Sequence, residues 1–538
     1  IKNLSETMIN LSTVSTEPVP AKPEENSKEK TTENNDKKTT SENSDKKTTT
    51  KDGKTNTEKE KKPEPEPIKI TEKELVKVSE DGMNLYFFEN FDMKNHRGDL
   101  YHIVGGKKGN RTKIASNVFY NISLSKNGQA VLYLENASEN GDNGQLSCWN
   151  ATTKACEVLD KNVVEGNFGF SQDGNSVLFI NAYNSEYHVG NLNVRSFAKG
   201  ETASRQLDSD VAATFGTNPT GNIKVYAKNY NKDDETFDLY RIKDGEAPTQ
   251  IGTKAKLPPV FLEKSDKLYA YDSFDKDSHK VVSINLDNND KKEIGTEITN
   301  IIGVSKDELS IVFSKEYDNK GTQIIDYYYV SSDAVAPQKI ANNVGVFEDD
   351  QHSRIVQFAI NEDFTRVAYI SGFNAEKERG SLYTESIQNG YVGTEKRISD
   401  DAYSCNVSTD GTVVRFATNY NKDTNTVAIS SFFNGNTAKL AEGVGSSSFT
   451  FDKNADSTVY ARNYDAQKKS GKLECVDRNG KVKDIVSEVN AYGLKDTGKT
   501  IFFTNLNQEN GRFNLHIVDA KGEKQTEIDT DVTKVLVY

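Results

Sequence analysis

The stretch Val78-Ser79-Glu80-Asp81-Gly82, followed by Leu85-Tyr86-Phe87-Phe88, decides how this chain folds. An apolar residue, a serine, a polar residue, an aspartate and a glycine lead into an apolar and aromatic run. Glycine supplies the positive φ that a tight turn needs, and aromatic residues favour strands. The stretch therefore predicts a turn that leads into a buried β-strand.

The same pattern recurs ten times between residues 78 and 503. Other clear copies begin at Leu124, Phe170 and Val407. Degraded copies cover residues 218–221, 262–266, 304–308, 360–364, 451–455 and 494–498. Nine steps from Gly82 to Gly498 give a mean spacing of about 46 residues, which is typical of propeller blades or solenoid repeats. The sequence predicts an array of similar modules.

Each module is predicted to be a small antiparallel sheet, as residues 121–165 illustrate. Alternating residues before the Asn127-Gly128 turn, the apolar run 131–134, and two further runs at 146–149 and 156–159 read as four strands. Four antiparallel strands per repeat of this length are typical of a β-propeller blade. We therefore predict an all-β fold, a β-propeller of about ten four-stranded blade repeats.

The predicted units are residues 68–120, 121–165, 166–212, 213–257, 258–298, 299–344, 345–402, 403–444, 445–490 and 491–538. No linker divides them, which favours a single large ring over two smaller rings. Residues 68–70 and 535–538 read as surplus strand that could overlap to close the ring and remove exposed edges. His102 and His516 occupy matching strands of the first and last units, so closure would make them neighbours.

Residues 1–67 form a separate region, predicted to be a disordered stalk rich in Lys, Glu, Thr and Pro. They contain no aromatic residue and cannot bury enough apolar surface to fold. The propeller array is then residues 68–538. Such a stalk commonly holds a domain away from a membrane or cell wall. We expect an extracellular or cell-surface protein, attached to the membrane only through an N-terminal anchor that this chain lacks.

The charge of the chain narrows its partners. The formal net charge is −13, and residues 21–67 carry twelve Lys against twelve acidic residues, so nearly all of the negative charge belongs to the array. An acidic surface argues against nucleic acid and against docking on an anionic membrane. A Lys- and Asn-rich, Arg-poor composition is typical of a low-GC bacterium. The expected partner is a protein, peptide or glycan of the cell envelope.

The turns also carry a family resemblance. Residues 79–82, 171–174 and 408–411 resemble the WD40-like repeats of TolB-type propellers and of the propeller domains of prolyl oligopeptidase relatives. The array lacks a Gly-x-Ser-x-Gly nucleophile elbow, and no α/β segment follows it, although a peptidase of that family would need both. The resemblance therefore implies a binding or scaffolding module and carries over no catalytic residue.

An aromatic residue, usually bracketed by Asn or Asp, follows the apolar strand in eight units. These speculative ligand-binding residues are Phe91, Tyr183, Tyr230, Phe274, Tyr317, Phe373, Tyr420 and Tyr464. Equivalent positions should lie on one face of a propeller, where rings stack on sugars or peptides while amides and carboxylates bond to them. The alternative interpretation is structural: each ring fills the seam between blades while Asn or Asp caps its own turn.

Metal and disulfide chemistry have little support in the sequence. Loops 229–235, 272–277 and 419–423 place oxygen side chains at alternate positions, but they lack the Gly and Glu of an EF-hand and each contains a Lys. Calcium is therefore the weaker alternative to a solvated turn, and no other cofactor is expected. Cys148 and Cys156 flank a predicted hairpin turn, so they either form a disulfide or remain as two half-buried thiols.

These observations favour a non-enzymatic, extracytoplasmic binding or scaffolding propeller, tethered to the cell envelope. The alternative is a propeller-based glycan hydrolase or lyase whose residues converge at the central channel. No local Ser/His/Asp, Cys/His or paired-carboxylate pattern stands out, but such residues can converge from distant loops. A third interpretation is a mechanical spacer with no ligand.

Overall fold

The computed structural model describes residues 73–532, apart from residues 80–82, 93, 105–110, 139–142, 198–200, 202, 276–277, 320–321, 332–335, 349–353, 375–376, 452–456, 466, 469, 478–479, 496–498, 508–511 and 520–524. The predicted stalk and the surplus strands at residues 68–70 and 535–538 lie outside the described residues. So do parts of the turns at 78–82, 451–455 and 494–498. Every helix or strand described is a β-strand, which confirms the all-β prediction.

The strands follow one another with mostly antiparallel neighbours. In the first half they are β1 Lys73–Val78, β2 Asn84–Asp92, β3 Arg97–Val104, β4 Arg111–Leu124, β5 Ala130–Glu135, β6 Gly144–Asn150, β7 Cys156–Phe170, β8 Ser176–Asn184, β9 Val189–Ser196, β10 Arg205–Thr217, β11 Ile223–Asn231, β12 Thr236–Lys243, β13 Thr249–Ala255, β14 Val260–Phe261, β15 Lys267–Asp275, β16 Ser278–Asn285 and β17 Lys291–Ile298.

In the second half they are β18 Asn300–Val304, β19 Ser310–Asn319, β20 Thr322–Ser331, β21 Gln338–Glu348, β22 Arg354–Val356, β23 Phe358–Ile360, β24 Arg366–Asn374, β25 Arg379–Gln388, β26 Tyr391–Val392, β27 Lys396–Val407, β28 Val413–Asn421, β29 Thr426–Phe433, β30 Asn436–Phe451, β31 Ser457–Asp465, β32 Ser470–Asp477, β33 Val482–Val489, β34 Ala491–Lys495, β35 Lys499–Asn507, β36 Arg512–Asp519 and β37 Thr526–Val532.

Several long strands belong to two successive units. The first part of β4 pairs with β3 and its second part pairs with β5. Asn117, where β4 changes partner, has a φ of 54°, and Asp210 occupies the same place in β10 with a φ of 54°. Asn and Asp tolerate this left-handed conformation better than most residues do. In the sequence each of these long strands looks like two separate strands, because the residues at the bend resemble a loop.

The recurring serine and aspartate hold the turn that joins the first two strands of a unit. Ser176 N donates to Ser171 Oγ at 2.9 Å, and Ser171 Oγ donates to Asp173 Oδ1 at 2.5 Å. Gly174 follows with a φ of 71°. The side chains therefore satisfy backbone groups that the tight turn leaves unpaired, as local polar side chains do in turns.

Degraded copies of the pattern keep this geometry with a different side chain. Asn218 accepts the backbone N–H of Ile223 at 2.9 Å through its side-chain oxygen. Asn361 accepts the N–H of Arg366 at 2.8 Å in the same way. An Asn side chain can therefore replace Ser as the acceptor, which explains why a weak sequence match still folds as a turn.

Turns of neighbouring units are also bonded to one another at this end of the array, here called the turn end. Asn218 Nδ2 donates to Asp266 Oδ1 at 2.7 Å, and the backbone N–H of Lys264 donates to Glu308 Oε1 at 2.7 Å. Asn361 Nδ2 donates to the Thr409 carbonyl at 3.0 Å. The turn end thus links units side by side.

The core lies between the faces of neighbouring units. One buried cluster joins Tyr86 and Phe88 of the first unit to Val131, Tyr133 and Trp149 of the second. Tyr86 is fully buried, and its hydroxyl donates to the Gly128 carbonyl at 2.9 Å. A buried tyrosine needs such a partner for its polar end. Each sheet therefore relies on its neighbour for a core, as expected of a repeat protein.

The first and last described strands meet. Lys73 of β1 pairs in parallel with Val532 of β37. His102 and His516, however, are one residue out of step, because Leu100 and Leu515 occupy equivalent positions in the register. Side chains one residue apart point to opposite faces of a sheet. His102 packs on Trp149 of the second unit, so it lies on the face of the first unit that a closing last unit would not contact. The expectation that closure would make the two histidines neighbours is therefore wrong.

Candidate functional site

The end of the array opposite the turn end is formed by the last residues of the second strand of each unit, and in most units these residues form a bulge. Asn229, Asn419 and Asn463 have φ values of 53°, 55° and 53°, and each immediately precedes one of the predicted ligand-binding aromatics. The register of β11 with β12 shifts at this point, so the strand carries a bulge. The aromatics predicted in loops therefore lie within strands, a correction that explains the recurring Asn. We call this side the bulge end.

The eight predicted aromatics differ in exposure. Phe91 is buried, with 8% of its surface accessible, whereas Tyr317 is 48% exposed. The others are half-buried: Tyr183, Tyr230, Phe274, Phe373, Tyr420 and Tyr464. Tyr317 also lacks the bulge, since β19 pairs with β20 without a register shift. The equivalence predicted from sequence therefore covers a range of environments.

The described aromatics make packing contacts of the kind that the structural interpretation requires. Tyr230 contacts the His188 ring of the neighbouring unit edge-on, with centroids 5.6 Å apart. Lys256 lies 4.9 Å from the Phe274 ring centroid. Tyr420 stacks on Tyr403 at 4.4 Å. A half-buried ring can still offer one side to a ligand, so ligand binding at these positions stays a prediction.

A cleft of about 500 Å³ opens at the bulge end between the units 166–212 and 213–257. Its lining residues are Ala182, Asn184, Tyr187, Val189, Gly190, Asn191, Asp210, Asn229 and Tyr230. They come from β8, β9, β10 and β11 and the hairpin between β8 and β9. We call this the Tyr230 cleft. It brings together one predicted aromatic, a second tyrosine, three amide side chains and one carboxylate.

Backbone geometry shapes the wall of the cleft. A Cβ at Gly190 would lie 2.6 Å from the Asn181 carbonyl oxygen, so only glycine allows β9 to approach the bulge of β8 so closely. Asn184 Oδ1 accepts the backbone N–H groups of Glu186 and Tyr187 at 2.9 and 3.2 Å. This turn holds Tyr187 outward, where it is 65% exposed.

Behind the cleft, Tyr183 and His188 connect the wall to the core. The Tyr183 hydroxyl lies 3.3 Å from His188 Nδ1. Burial, with Glu235 nearby, raises the pKa of Tyr230, so its hydroxyl stays protonated at neutral pH. The cleft therefore offers phenol groups and amides, with Asp210 as the carboxylate of its lining.

Comparisons with known proteins give matches of structure alone. No family model matches the chain, and no curated protein matches it. A putative TolB from Agrobacterium tumefaciens is 16% identical with a TM-score of 0.27, covering 42% of this chain and 81% of that chain. The β-propeller domain of the Trilobed protease from Pyrococcus furiosus is 12% identical with a TM-score of 0.33, covering 62% and 96%.

A third match is to a prolyl endopeptidase, which is 13% identical with a TM-score of 0.34. The match covers 63% of this chain and 53% of that chain. The TolB-type and prolyl oligopeptidase-type resemblance predicted from the turns is confirmed, and it concerns the fold.

In the oxygen-rich loops, Asn side chains accept hydrogen bonds from backbone N–H groups of the same loop. Asn231 Oδ1 accepts the N–H of Asp233 at 2.9 Å, and Asn421 Oδ1 accepts that of Asp423 at 3.0 Å. Residues 276–277 of the third loop lie outside the described residues. Within the described part of the chain, no group of three His, Cys, Asp or Glu side chains is placed to hold a metal ion. Calcium binding by these loops stays a prediction.

Cys148 and Cys156 are both free thiols. Cys148 lies opposite Glu157, and Cys156 lies opposite Trp149. The two cysteines therefore point to opposite faces of the sheet, a geometry that disfavours the disulfide alternative and favours two separate thiols. Cys156 instead lies 3.0 Å from the Tyr133 hydroxyl, and burial raises the pKa of the Cys148 thiol to about 12.

One acidic group outside the cleft is unusual. Glu385 on β25 is only 8% exposed, and burial together with the Glu395 carboxylate raises its pKa to about 7. Glu395 accepts a hydrogen bond from the Tyr369 hydroxyl. The sequence shows no sign of this pair, because the short β26 hairpin separates the buried Glu385 from the exposed Glu395.

Proposed function

We propose that this chain is a non-enzymatic binding module that recognises a peptide or glycan through the Tyr230 cleft. The observation that carries the proposal is the cleft itself, where exposed Tyr187 and half-buried Tyr230 flank amide side chains. Aromatic faces stack on apolar surfaces of sugars and peptides, and amides bond to hydroxyl or amide groups. A mechanical spacer would have no need of such a recess.

We further propose that the array is one ring of about ten blades. The parallel pairing of Lys73 with Val532 supports closure, because it places the last strand beside the first. A Lys73→Cys, Val532→Cys double variant should form an intramolecular disulfide under oxidation, detected by mass spectrometry. Failure to cross-link in the folded monomer would count against a closed ring.

Attachment to the cell envelope remains part of this proposal. The basis is the low-complexity composition of residues 1–67, which suits a tether. Over the described range of the chain, no helix combines the length and apolar character of a membrane span. Fractionation of the full-length gene product expressed in its source cells should place it in the envelope; recovery in the cytoplasmic fraction would contradict the proposal.

The binding proposal is tested with the whole 538-residue chain. Isothermal titration against N-acetylglucosamine oligomers and short peptides should identify a ligand whose affinity falls about fivefold or more in Tyr187→Ala, since aromatic contacts are worth about 1 kcal/mol or more. The matched control is Tyr391→Ala, because Tyr391 is 75% exposed and lies on β26, which pairs with the last residues of β25, away from the bulge end. Equal effects of the two variants would refute a role for the cleft.

A second candidate function is glycan cleavage, by hydrolysis or by elimination. The Glu385 and Glu395 pair favours it. A carboxyl group with a pKa near neutrality can act as a general acid or base. Incubation of the protein with glycan fragments should then generate new chain ends by cleavage, and Glu385→Gln should abolish this cleavage. Unchanged product formation in that variant would remove this candidate.

A further inference from the structure

The Tyr230 cleft has an electrostatic character that goes beyond a neutral aromatic recess. Asp210 is the one charged side chain in its lining, which contains no Lys, Arg or His. Ser209 Oγ donates to Asp210 Oδ2 at 3.1 Å. Among the ion pairs within the described residues, none includes Asp210. Asp208, two residues earlier, is instead neutralised by Lys228 at 3.0 Å.

The loops beside the cleft reinforce the negative sign. Two hairpin tips, residues 184–188 and 231–235, lie beside the cleft and expose Glu186, Asp233 and Asp234. Their basic residues are Lys232 and His188. Glu235 lies 3.7 Å from Lys256 and is already compensated. Exposed charges within about a Debye length of one another act together at physiological salt. A ligand entering the cleft therefore meets a negative potential.

The uncharged groups of the cleft also suit a cation. Tyrosine faces attract ammonium and guanidinium groups, with estimates from about 0.5 kcal/mol upward. Asn229 Nδ2 donates to Asp238 Oδ2 at 2.9 Å, which leaves the Asn229 carbonyl oxygen as an acceptor. A primary ammonium group has three donors and no acceptor. Asp210 and Asn229 together can receive two of those donors, and the phenol oxygens can receive the third.

We propose that the Tyr230 cleft binds the primary ammonium group of a lysine side chain in a peptide ligand. This inference rests on the proposed binding function and names its ligand class. A quaternary ammonium group would satisfy the tyrosine faces but leave the acceptors of Asp210 and Asn229 without hydrogen bonds. The lysine methylenes pack along Tyr187 and Tyr230, and the charged end reaches Asp210.

The test uses the full chain and two capped tripeptides, acetyl-Gly-Lys-Gly-amide and the same peptide with an acetylated lysine side chain. We expect the lysine peptide to bind about tenfold or more tightly than its acetylated counterpart, and its affinity to fall as salt is raised. Asp210→Asn should reduce lysine-peptide affinity about tenfold and leave the acetylated peptide unaffected.

The variant should fold, because Asn117 occupies the position equivalent to Asp210 with the same φ of 54°. The matched control is Asp423→Asn, an exposed aspartate on a different unit, which should leave both affinities unchanged. Equal binding of the two peptides, lost in Tyr187→Ala, would overturn the lysine assignment and leave the binding function intact. Absence of Tyr187-dependent binding by lysine peptide, acetylated peptide and glycan alike would overturn both.

Discussion

The two ends of the repeat units use polar residues in opposite ways. At the turn end, Ser, Asp and Asn side chains bond to their own turns and to those of the next unit, so neighbouring units touch. At the bulge end, Asn residues take a left-handed conformation and the next residue is an aromatic. There, two units leave the Tyr230 cleft between them. Neighbouring units are hydrogen-bonded to each other at the turn end, whereas at the bulge end a cleft separates two of them.

This difference indicates where sequence variation is tolerated. A turn that contacts its neighbour constrains side-chain size and hydrogen bonding at once, whereas a bulge mainly constrains backbone conformation. Residues on the recessed side can therefore vary from unit to unit without loss of the fold. Function in repeat folds commonly depends on such variable positions, while the repeated ones maintain the scaffold.

The largest expected effect is at the turn end. Gly221 has a φ of 72°, and a Cβ there would lie 2.7 Å from Asp173 Oδ1 of the neighbouring turn. Gly221→Ala should destabilise the protein by about 3 kcal/mol, the sum of left-handed strain and overpacking. Gly435→Ala is the matched control, because its φ is 81° and nothing lies within 4 Å.

Urea unfolding of both variants measures the comparison, since the control should lose only about 1 kcal/mol from strain. Equal losses would mean that the Asp173 carboxylate moves aside at no cost, and the neighbouring turns would then not be tightly packed against each other.

The next effect concerns Glu385, which lies toward the turn end of β25. Its pKa is raised from the ordinary 4.5 to about 7, so between these values the folded protein binds more protons than the unfolded chain. Stability should therefore fall as pH rises from about 4.5 to 7, by about 2 to 3 kcal/mol. Glu385→Gln should flatten this part of the profile and be the more stable protein at pH 8.

Glu186→Gln is the control for that measurement, because Glu186 is exposed at the bulge end and should leave the profile unchanged. A pH profile that is identical in wild type and Glu385→Gln would show that Glu385 ionises normally, and would also remove the basis for the enzymatic candidate.

A smaller effect is expected at His279, at the bulge end of β16. His279 is 4% exposed and packs on Tyr271 and Phe274, and its ring has a weak polar contact with the Ile298 backbone in place of a hydrogen bond of normal geometry. Burial lowers its pKa to about 4, so wild-type stability should fall as pH drops from about 6.5 toward 4.

Phe237 occupies the equivalent position in the preceding unit. His279→Phe should therefore fold, gain about 1 kcal/mol at pH 7 and lose the acid sensitivity. His516→Phe serves as the contrast, because His516 Nε2 lies 2.8 Å from Thr504 Oγ1 and its replacement should destabilise. Destabilisation by both changes would show that the bulge end is as constrained as the turn end. Thermal unfolding at pH 5 and pH 7 gives the comparison.

The sequence predicted what repeats and missed what arises between repeats. The Ser-x-Asp-Gly pattern marks the turns because it acts within a few residues, and the all-β fold follows from it. The Tyr230 cleft combines Asp210 of one unit with Asn229 of the next, and no local pattern records that meeting. Asn419 and Asn229 did signal the bulges, but a loop and a bulge share the same preference for Asn.

The smallest expected effect sharpens this point. Asn419 is exposed with a φ of 55°. Asn419→Gly should change stability by less than about 0.5 kcal/mol, because glycine accepts this conformation freely. Asn419→Val should cost about 1 to 2 kcal/mol, because a β-branched residue is strained there. Chemical unfolding of both variants separates the effect of backbone conformation from that of side-chain contacts. A large loss of stability in the glycine variant would mean that contacts of the Asn419 side chain stabilise the bulge, so side-chain bonding would matter at the bulge end as it does at the turn end.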